Sequence, residues 1–187
     1  MEGEISDDPM NPQWEKGEAV IIPFVPQIIA AERHFTPTVT DVSVKALYNE
    51  KEAAFLLEWG DRTKSIPGDS KAAELSEGGI YPDAVAIQWP VAIPEGMEKP
   101  YFGHGDGGHP VNIWYWSSGT TSVPDGIKLL DATGLGKASP RAESGQIKGK
   151  GVYKDGLWKV VMKRPLKEGG ELDIQFEAGR FIPVAFA

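Results

Sequence analysis

Short runs of alternating apolar and polar residues recur along this chain, and they predict β-strands rather than helices. Most of the runs are bounded by glycine, proline, asparagine or aspartate, which favour turns. Long stretches with the 3.6-residue period of a helix are scarce. The pattern predicts an all-β fold, an antiparallel β-sandwich with long loops and short inserted helices. The clearest predicted strands are residues 42–48, 53–59, 84–89, 111–116 and 157–162.

Two hairpins are predicted within this pattern. One turns at residues 49–52, and the other has the dipeptide Asp155-Gly156, which favours a type I′ turn. Residues 19–30 are apolar but contain Pro23 and Pro26, so they predict an edge strand or an extended segment.

Weaker patterns add less regular elements. Residues 117–151 are predicted to be a long polar segment that holds no more than one helical turn. The weaker predictions are a short helix at residues 71–75, a helical turn at 127–133, a strand at 171–176 and the start of another strand at 181–187.

The length of the chain, 187 residues, and its hydrophobic content of 41% fit one domain with a substantial core. Residues 1–18 are polar and acidic, and we expect a flexible tail in which Trp14 is an anchor. Residues 19–187 are expected to form the single domain. The chain stops within the apolar run IPVAFA, so we expect the domain to lack its last C-terminal strand.

The charge and the cysteine content narrow the possible functions. A formal net charge of −8 without a Lys/Arg-rich stripe argues against nucleic-acid binding. The longest apolar run is too short for a transmembrane helix, and the acidic start of the chain is unlike a signal peptide. The absence of cysteine excludes disulfides, iron–sulfur ligation and covalent haem attachment by this chain.

The stretch richest in candidate chemistry is residues 100–116, PYFGHGDGGHPVNIWYW. Its loop contains His104, Asp106 and His109 among four glycines, and a predicted strand follows. Loops that carry ligating side chains on a rigid scaffold are common binding sites. The simpler interpretation is a glycine-rich loop with surface histidines.

Several site types are unlikely here. The chain has no G-x-S-x-G motif for a serine nucleophile, and Ser117 and Ser118 read as turn residues. The spacing H-x-D-x-x-H on a loop is a weak zinc signature. The glycines of the loop do not form a dinucleotide-binding motif, because a proline and a strand follow them instead of a helix.

Haem b remains as a candidate, because it needs one or two axial side chains from His, Met or Lys, an apolar slot and no cysteine. His104 is the candidate axial ligand, with Met97 as the alternative. Phe102 and Trp114 are candidate walls of the slot. Methionines are more often core residues than ligands.

Six segments, taken in order, resemble one known family. They are VPQ at 25–27, VKALYNEKEAAFLLEWGDRTKS at 44–65, PDAVAIQWP at 82–90, the stretch at 100–116, GVYKDGLWKVVMKRPL at 151–166, and IPVAFA at 182–187. The chain is similar to the haem b, or γ, subunits of the type II DMSO-reductase family. These serve ethylbenzene and dimethylsulfide dehydrogenases, selenate and chlorate reductases, and related nitrite oxidoreductases.

The resemblance implies a periplasmic β-sandwich that binds one haem b and has no catalytic chemistry of its own. Such a subunit passes electrons between a molybdenum-containing catalytic subunit, with its iron–sulfur partner, and a soluble cytochrome or other carrier. An exported chain of this kind would have lost its signal peptide.

Two departures from the family bear on the ligands. The family's axial methionine aligns with His104, so that either this histidine replaces it or Met97 does. The family's axial lysine belongs to a last strand, after the position at which this chain stops. Lys163 is a conceivable substitute, although its position in the sequence is typical of a surface lysine.

Two other functions remain open. One is a haem-free structural or assembly subunit of such a complex. The other is a carbohydrate-binding module, in which exposed tryptophans would stack on sugars.

Overall fold

The computed structural model describes residues 3–29, 33, 35–65, 81–119, 126–141, 147–167, 170 and 172–187. These residues form two five-stranded antiparallel sheets. The strands are β1 (Ala19–Pro23), β2 (Asp41–Tyr48), β3 (Glu52–Gly60), β4 (Ala84–Pro90), β5 (Val111–Ser117), β6 (Ile127–Ala132), β7 (Ala138–Pro140), β8 (Lys148–Lys154), β9 (Leu157–Pro165) and β10 (Ala185–Phe186).

The first sheet has the strand order β1-β2-β3-β9-β8, and the second has the order β10-β4-β5-β6-β7. Alternate residues of both sheets face each other and form one apolar core, which includes Val42, Leu57, Ile87, Trp114 and Val160. This arrangement confirms the predicted all-β sandwich. In the described part of the chain, the one helix is a 3₁₀ helix at Pro12–Lys16.

The strongest sequence patterns gave the right strands. All five of the clearest predicted strands are confirmed, and β1 is an edge strand, as Pro23 and Pro26 indicated. The alternation of apolar and polar residues predicted these strands correctly because each of them buries one face in the core. Large side chains of these strands are 6% exposed or less, among them Leu56, Trp59, Ile87 and Trp114.

The turn between β8 and β9 also agrees with its sequence. Asp155 and Gly156 have φ values of 53° and 79°, as a type I′ turn requires at both central positions. In the other hairpin, Asn49 N–H donates to Glu52 O at 3.0 Å. The side-chain oxygen of Asn49 accepts from the N–H groups of Lys51 and Glu52, both at 2.8 Å.

Several weaker predictions were wrong. The expected helical turn at 127–133 is strand β6, whose Ile127 and Leu129 enter the core, and the supposed polar segment 117–151 also contains β7 and the start of β8. Residues 172–176 are not a strand, because Phe176 N–H donates to Leu166 O in a loop rather than to a sheet neighbour. The predicted helix at 71–75 lies outside the described residues, as does Glu171.

The N-terminal segment lies on the outer face of the first sheet. Ile5 and Trp14 are buried there against Leu47, Leu56 and Val161. Trp14 is thus in the position of an anchor, and Ile5 is a second one. The flexibility expected for residues 1–18 stays a prediction.

Two glycines of β8 allow the sheets to approach closely. A Cβ atom on Gly149 would lie 2.6 Å from Cδ1 of Ile127, and one on Gly151 would overlap the indole ring of Trp116. Trp116 and Ile127 belong to the second sheet. Glycine is therefore needed at Gly151 because β8 lies directly over this ring.

Asp83, just before β4, connects a loop to the core. Its carboxylate accepts from Ser65 N–H at 2.7 Å and from Trp158 Nε1 at 2.8 Å. Burial raises the pKa of Asp83, and the two hydrogen bonds oppose this rise. Because the folded-state pKa lies above the unfolded value, this group stabilises the fold below the unfolded pKa, and the contribution is lost as pH rises through the folded one.

We expect the pKa of Asp83 to lie above 3.8 and to rise further in a Trp158→Phe variant, which loses one of the opposing hydrogen bonds. An NMR titration of the carboxyl carbon measures both values. Trp59→Phe is the control, because Trp59 stacks on Trp158 but makes no hydrogen bond to Asp83. A pKa that falls in the Trp158→Phe variant would contradict this account.

Candidate functional site

The glycine-rich loop between β4 and β5 lies against the outer face of the second sheet. Val111 and Ile113 are buried on that face, away from the core between the sheets. A Cβ atom on Gly105 would lie 2.9 Å from Cγ1 of Val111 and 2.6 Å from His109 O. Gly105 also has a φ of 66°, so a residue without a side chain is needed there.

The backbone of His104 is held from two sides. Its N–H donates to Gln88 Oε1 at 2.9 Å, and its carbonyl accepts from Gly134 N–H at 2.8 Å. Its φ of 71° is in the left-handed region, which is uncommon for a residue other than glycine. Such a conformation persists only where the surroundings impose it.

The ring of His104 is half-buried, and its Nδ1 is fully buried without a hydrogen-bond partner among the described residues. Buried polar atoms normally have a partner, so an unpaired ring nitrogen is a position where a ligand atom or a water would be favourable. This unpaired nitrogen is the feature of the loop that most directly indicates binding.

The residues just before His104 in the loop carry exposed aromatic side chains. Tyr101 and Phe102 are 38% and 56% exposed, and their ring centroids are 4.6 Å apart. Gly103 separates Phe102 from His104, and a Cβ atom on it would lie 2.8 Å from the Tyr101 ring and 3.0 Å from Cδ1 of Ile29. The loop therefore presents an apolar surface next to His104.

The second half of the loop is organised by its own hydrogen bonds. The Asp106 carboxylate accepts from the N–H groups of Gly108 and His109 at 2.9 Å and lies 3.1 Å from His109 Nδ1. Although desolvation opposes the effect, these bonds lower the pKa of Asp106. In the described part of the chain, no three acidic or histidine side chains converge as metal ligands would. Asp106 and His109 thus shape the loop.

The other two predicted site residues, Met97 and Trp114, differ in their surroundings. Met97 is 97% exposed, so it does not fill the core. Trp114 is fully buried between the two sheets, and its Nε1 donates to Asn112 Oδ1 at 3.1 Å. Phe102 lies two residues before His104 in the same loop, whereas Trp114 lies on the opposite face of the second sheet.

Lys163 was expected on the surface, and this expectation was wrong. It is 3% exposed, with its Nζ bonded to Ile5 O and lying 3.3 Å from Glu4 and 3.5 Å from Glu52. The N-terminal segment supplies two of these three partners and covers the lysine. Because its ammonium group already has three acceptors, Lys163 is a poor candidate for an iron ligand.

A group of four charged residues near Trp114, two of them buried, was not predicted from the sequence. Arg164 is 1% exposed, and its guanidinium lies 5.6 Å from the Trp114 ring centroid, with Nη2 donating to Ile174 O at 2.9 Å. Arg141 donates to Asp131 at 2.6 and 2.7 Å and to Asp173 at 2.6 Å. The hydrogen bonds that Arg141 donates to Asp131 and Asp173 raise its pKa, although burial opposes this rise.

This group, Asp131, Arg141, Arg164 and Asp173, contains two cations and two anions. The only sequence signal for it was the pair Lys163-Arg164 at the end of an apolar strand, which is an unusual place for charge. Because each cation of the group has a counter-ion, we interpret these charges as stabilising the fold rather than binding a ligand.

A groove of 1560 Å³ lies beside the turn between β2 and β3. Neither His104 nor Met97 lines it, so it is separate from the loop surface. Its apolar part contains Tyr48, Phe55, Leu166 and Phe176, and Glu4, Glu50, Glu52 and Glu177 make its rim acidic.

Residues 11–146 match a family model described as ethylbenzene dehydrogenase. A protein of Haloferax mediterranei, named provisionally as a respiratory nitrate reductase heme subunit, is 30% identical over 97% of this chain. The dimethylsulfide dehydrogenase subunit gamma of Rhodovulum sulfidophilum is 37% identical over 44% of this chain. The aligned regions span 61% and 31% of the lengths of these two relatives.

Proposed function

This chain belongs to the ethylbenzene dehydrogenase family, and on that premise we propose that it binds haem b at His104 and transfers electrons within a molybdenum-dependent oxidoreductase. The observation that carries the proposal is the unpaired, buried ring nitrogen of His104, held in place beside exposed aromatic side chains. Two relatives named as a heme subunit and as a gamma subunit support it.

The residues of the loop fit a non-covalently bound haem. His104 would be an axial ligand, and Tyr101, Phe102 and Ile29 would contact the edge or face of the macrocycle. The haem would supply reversible one-electron chemistry at iron. The chain would hold and orient the group, keep water from part of it, and set the strength of the axial ligand.

The second axial position has one candidate in the same loop. The side chain of Met97 is exposed and does not pack in the core, so it would be available as a ligand. Lys163 is excluded from this role by its three partners. A histidine in place of a methionine would lower the reduction potential of the iron, because imidazole is the harder donor.

The remaining parts of the proposal follow from the family. The chain would have no catalytic chemistry of its own and would act in the periplasm. It would relay electrons between a molybdenum-containing subunit with an iron–sulfur partner and a soluble cytochrome or other carrier. Its net charge of −8 favours partners with basic docking faces. In the described part of the chain, no helix combines the length and apolar character needed to span a bilayer.

The carbohydrate-binding alternative depended on exposed tryptophans, and the structure contradicts that premise. All six tryptophans of the chain are 6% exposed or less: Trp14, Trp59, Trp89, Trp114, Trp116 and Trp158. None of them presents a face on which a sugar ring could stack.

The proposal is tested by titrating the purified chain with haem b and following the Soret band. We expect saturable binding, and a loss of affinity of at least about tenfold in His104→Ala, since an iron–ligand bond is removed. His109→Ala is the matched control, because it changes a histidine of the same loop that is bonded to Asp106 instead. Met97→Ala tests the second ligand.

Equal haem binding by His104→Ala and the wild type would overturn the assignment of His104. A wild-type chain that binds no haem would favour the haem-free assembly subunit instead. A spectral shift in Met97→Ala alone would identify Met97 as the ligand.

A further inference from the structure

We propose that Gln88 is the positioning residue for His104, and that it sets the orientation and strength of this histidine as an iron ligand; the second half of this statement rests on the proposed function. Gln88 does not contact iron in this account. It acts through the backbone of the loop that carries His104.

Gln88 lies at a rigid place in the fold. It belongs to β4, where its Cα is paired with Ile113 of β5 on one side and with Ala185 of β10 on the other. Its neighbours Ile87 and Trp89 enter the core between the sheets, so Gln88 points to the outer face, beneath the loop. It is 8% exposed, and a buried amide there needs hydrogen-bond partners.

Both ends of the Gln88 amide are used, and both bonds go to the backbone of the loop. Nε2 donates to Tyr101 O at 2.9 Å, and Oε1 accepts from His104 N–H at 2.9 Å. The same Tyr101 carbonyl also accepts from Gly105 N–H at 2.8 Å, which closes the turn around His104. One side chain therefore holds the first and the fourth residue of the turn.

These bonds account for the unusual backbone of His104. A left-handed conformation costs a residue other than glycine on the order of 1 kcal/mol or more. The bond from His104 N–H to Gln88 and the bond to His104 O from Gly134 oppose that cost. Without the bond to Gln88, the N–H would lose its partner, and the turn would be free to relax toward ordinary φ values.

The position requires a donor and an acceptor together, which explains why an amide is present. A glutamate could still accept from His104 N–H, but when ionised it could not donate to Tyr101 O, and it would place two oxygens against each other. A leucine of similar size would lose both bonds while still packing on the sheet. Gln88→Glu and Gln88→Leu therefore separate the two functions of the amide.

The charge of the residue at position 88 would also affect the reduction potential of a bound haem iron. A carboxylate at this position would add a negative charge near a bound haem and favour the ferric form. We therefore expect Gln88→Glu to lower the midpoint potential more than Gln88→Leu does, although both loosen the turn.

The first measurement requires no haem. Amide hydrogen exchange of His104, followed by NMR in the haem-free chain, should accelerate by at least about tenfold in Gln88→Leu, as expected when a hydrogen bond of about 1.4 kcal/mol is lost. The melting temperature should show that the variant remains folded. Asp106→Ala is the matched control, because it removes the other side chain that organises the loop without touching His104.

The second measurement uses the haem-loaded chain. Partners that orient a ligand typically contribute a factor of about 10 to 100 in metal affinity, so Gln88→Leu should weaken haem binding within that range and shift the Soret band. Asp106→Ala should weaken haem binding and shift the Soret band less than Gln88→Leu does, because it leaves the hydrogen bonds of His104 in place. The midpoint potential should fall furthest in Gln88→Glu.

Unchanged exchange of the His104 amide in Gln88→Leu would overturn the inference, whatever the haem data show. Equal shifts in Gln88→Leu and Asp106→Ala would also overturn it, since they would mean a general loosening of the loop. If exchange accelerates in Gln88→Leu but the wild type binds no haem, the positioning of His104 stands and the proposed function fails.

Discussion

Replacing Asp173 with alanine is expected to lower the free energy of unfolding by about 3–5 kcal/mol, because it removes a buried carboxylate that lies against both Arg141 and Arg164. Asp173 is 4% exposed, accepts from Arg141 Nη1 at 2.6 Å and lies 3.8 Å from Arg164 Nη1. Arg164 is buried against the Trp114 and Phe176 rings and has no access to water that could compensate. Chemical denaturation followed by tryptophan fluorescence measures the change.

The control for Asp173→Ala is Glu177→Ala, which removes an exposed carboxylate from a pair with Arg180 at 3.6 Å. Exposed ion pairs contribute little, so this variant should remain within about 1 kcal/mol of the wild type. Similar losses in both variants would show that the buried charges are not specially coupled. Asp173→Asn should be intermediate, since the amide keeps one acceptor for Arg141 but loses the charge.

Replacing Gly151 with alanine is expected to destabilise the sandwich by about 3 kcal/mol, at the upper end of the usual effect of overpacking a core. The added methyl group would overlap the Trp116 ring, which packs edge-on against both Trp59 and Trp158 and has little room to move. The strand or the ring would have to shift, and either movement separates the two sheets. Thermal and chemical unfolding measure the loss.

Gly107→Ala provides the comparison for Gly151→Ala, because a Cβ atom on Gly107 has open space around it. We expect it to change stability by no more than about 0.5 kcal/mol. In a double-mutant cycle, Trp116→Leu should relieve part of the cost of Gly151→Ala, since it removes the ring that causes the overlap. Simple additivity of the two changes would argue against direct contact as the cause.

The fold could be predicted where one face of a strand is buried and the other is not. In β2 the buried Val42 and Val44 alternate with more exposed neighbours, and its bounds were predicted to within a residue or two. β3 is buried on both faces, because the N-terminal segment covers its outer side, and its apolar run still predicted a strand. β6 was mistaken for a helical turn because IKLLDA has apolar residues at 127, 129 and 130, which suit either period over so short a length. Only the pairing with β5 decides between them.

The candidate site could be predicted in part. His104 was singled out because glycines flank it, and the structure does give it an unusual backbone and an unpaired ring nitrogen. The role of Gln88 could not be seen, since it lies 16 residues earlier and contacts the loop only after β4 and β5 pair. The face on which Trp114 lies could not be predicted, because β5 has large residues on both faces and its pattern does not say which face is the core.

Apart from the pair Lys163-Arg164 at the end of β9, the buried charges had no local signal in the sequence. Lys163 pairs with Glu4 across 159 residues of sequence, and Arg141 pairs with Asp173 across 32. Charged residues are seldom buried unless they are paired, so sequence reasoning places each one on the surface by default. The partners become visible only when the sheets and the N-terminal segment are assembled.

The packing of the tryptophans has an optical consequence. Trp59 and Trp158 stack with 6.2 Å between ring centroids and 23° between planes, and Trp116 lies 4.9 Å from Trp158. Indoles this close share their electronic excitations, so their circular dichroism overlaps the signal of the peptide backbone. An estimate of β content from the far-ultraviolet spectrum would therefore be distorted by three side chains, and infrared absorption of the amide groups is the better measure for this protein.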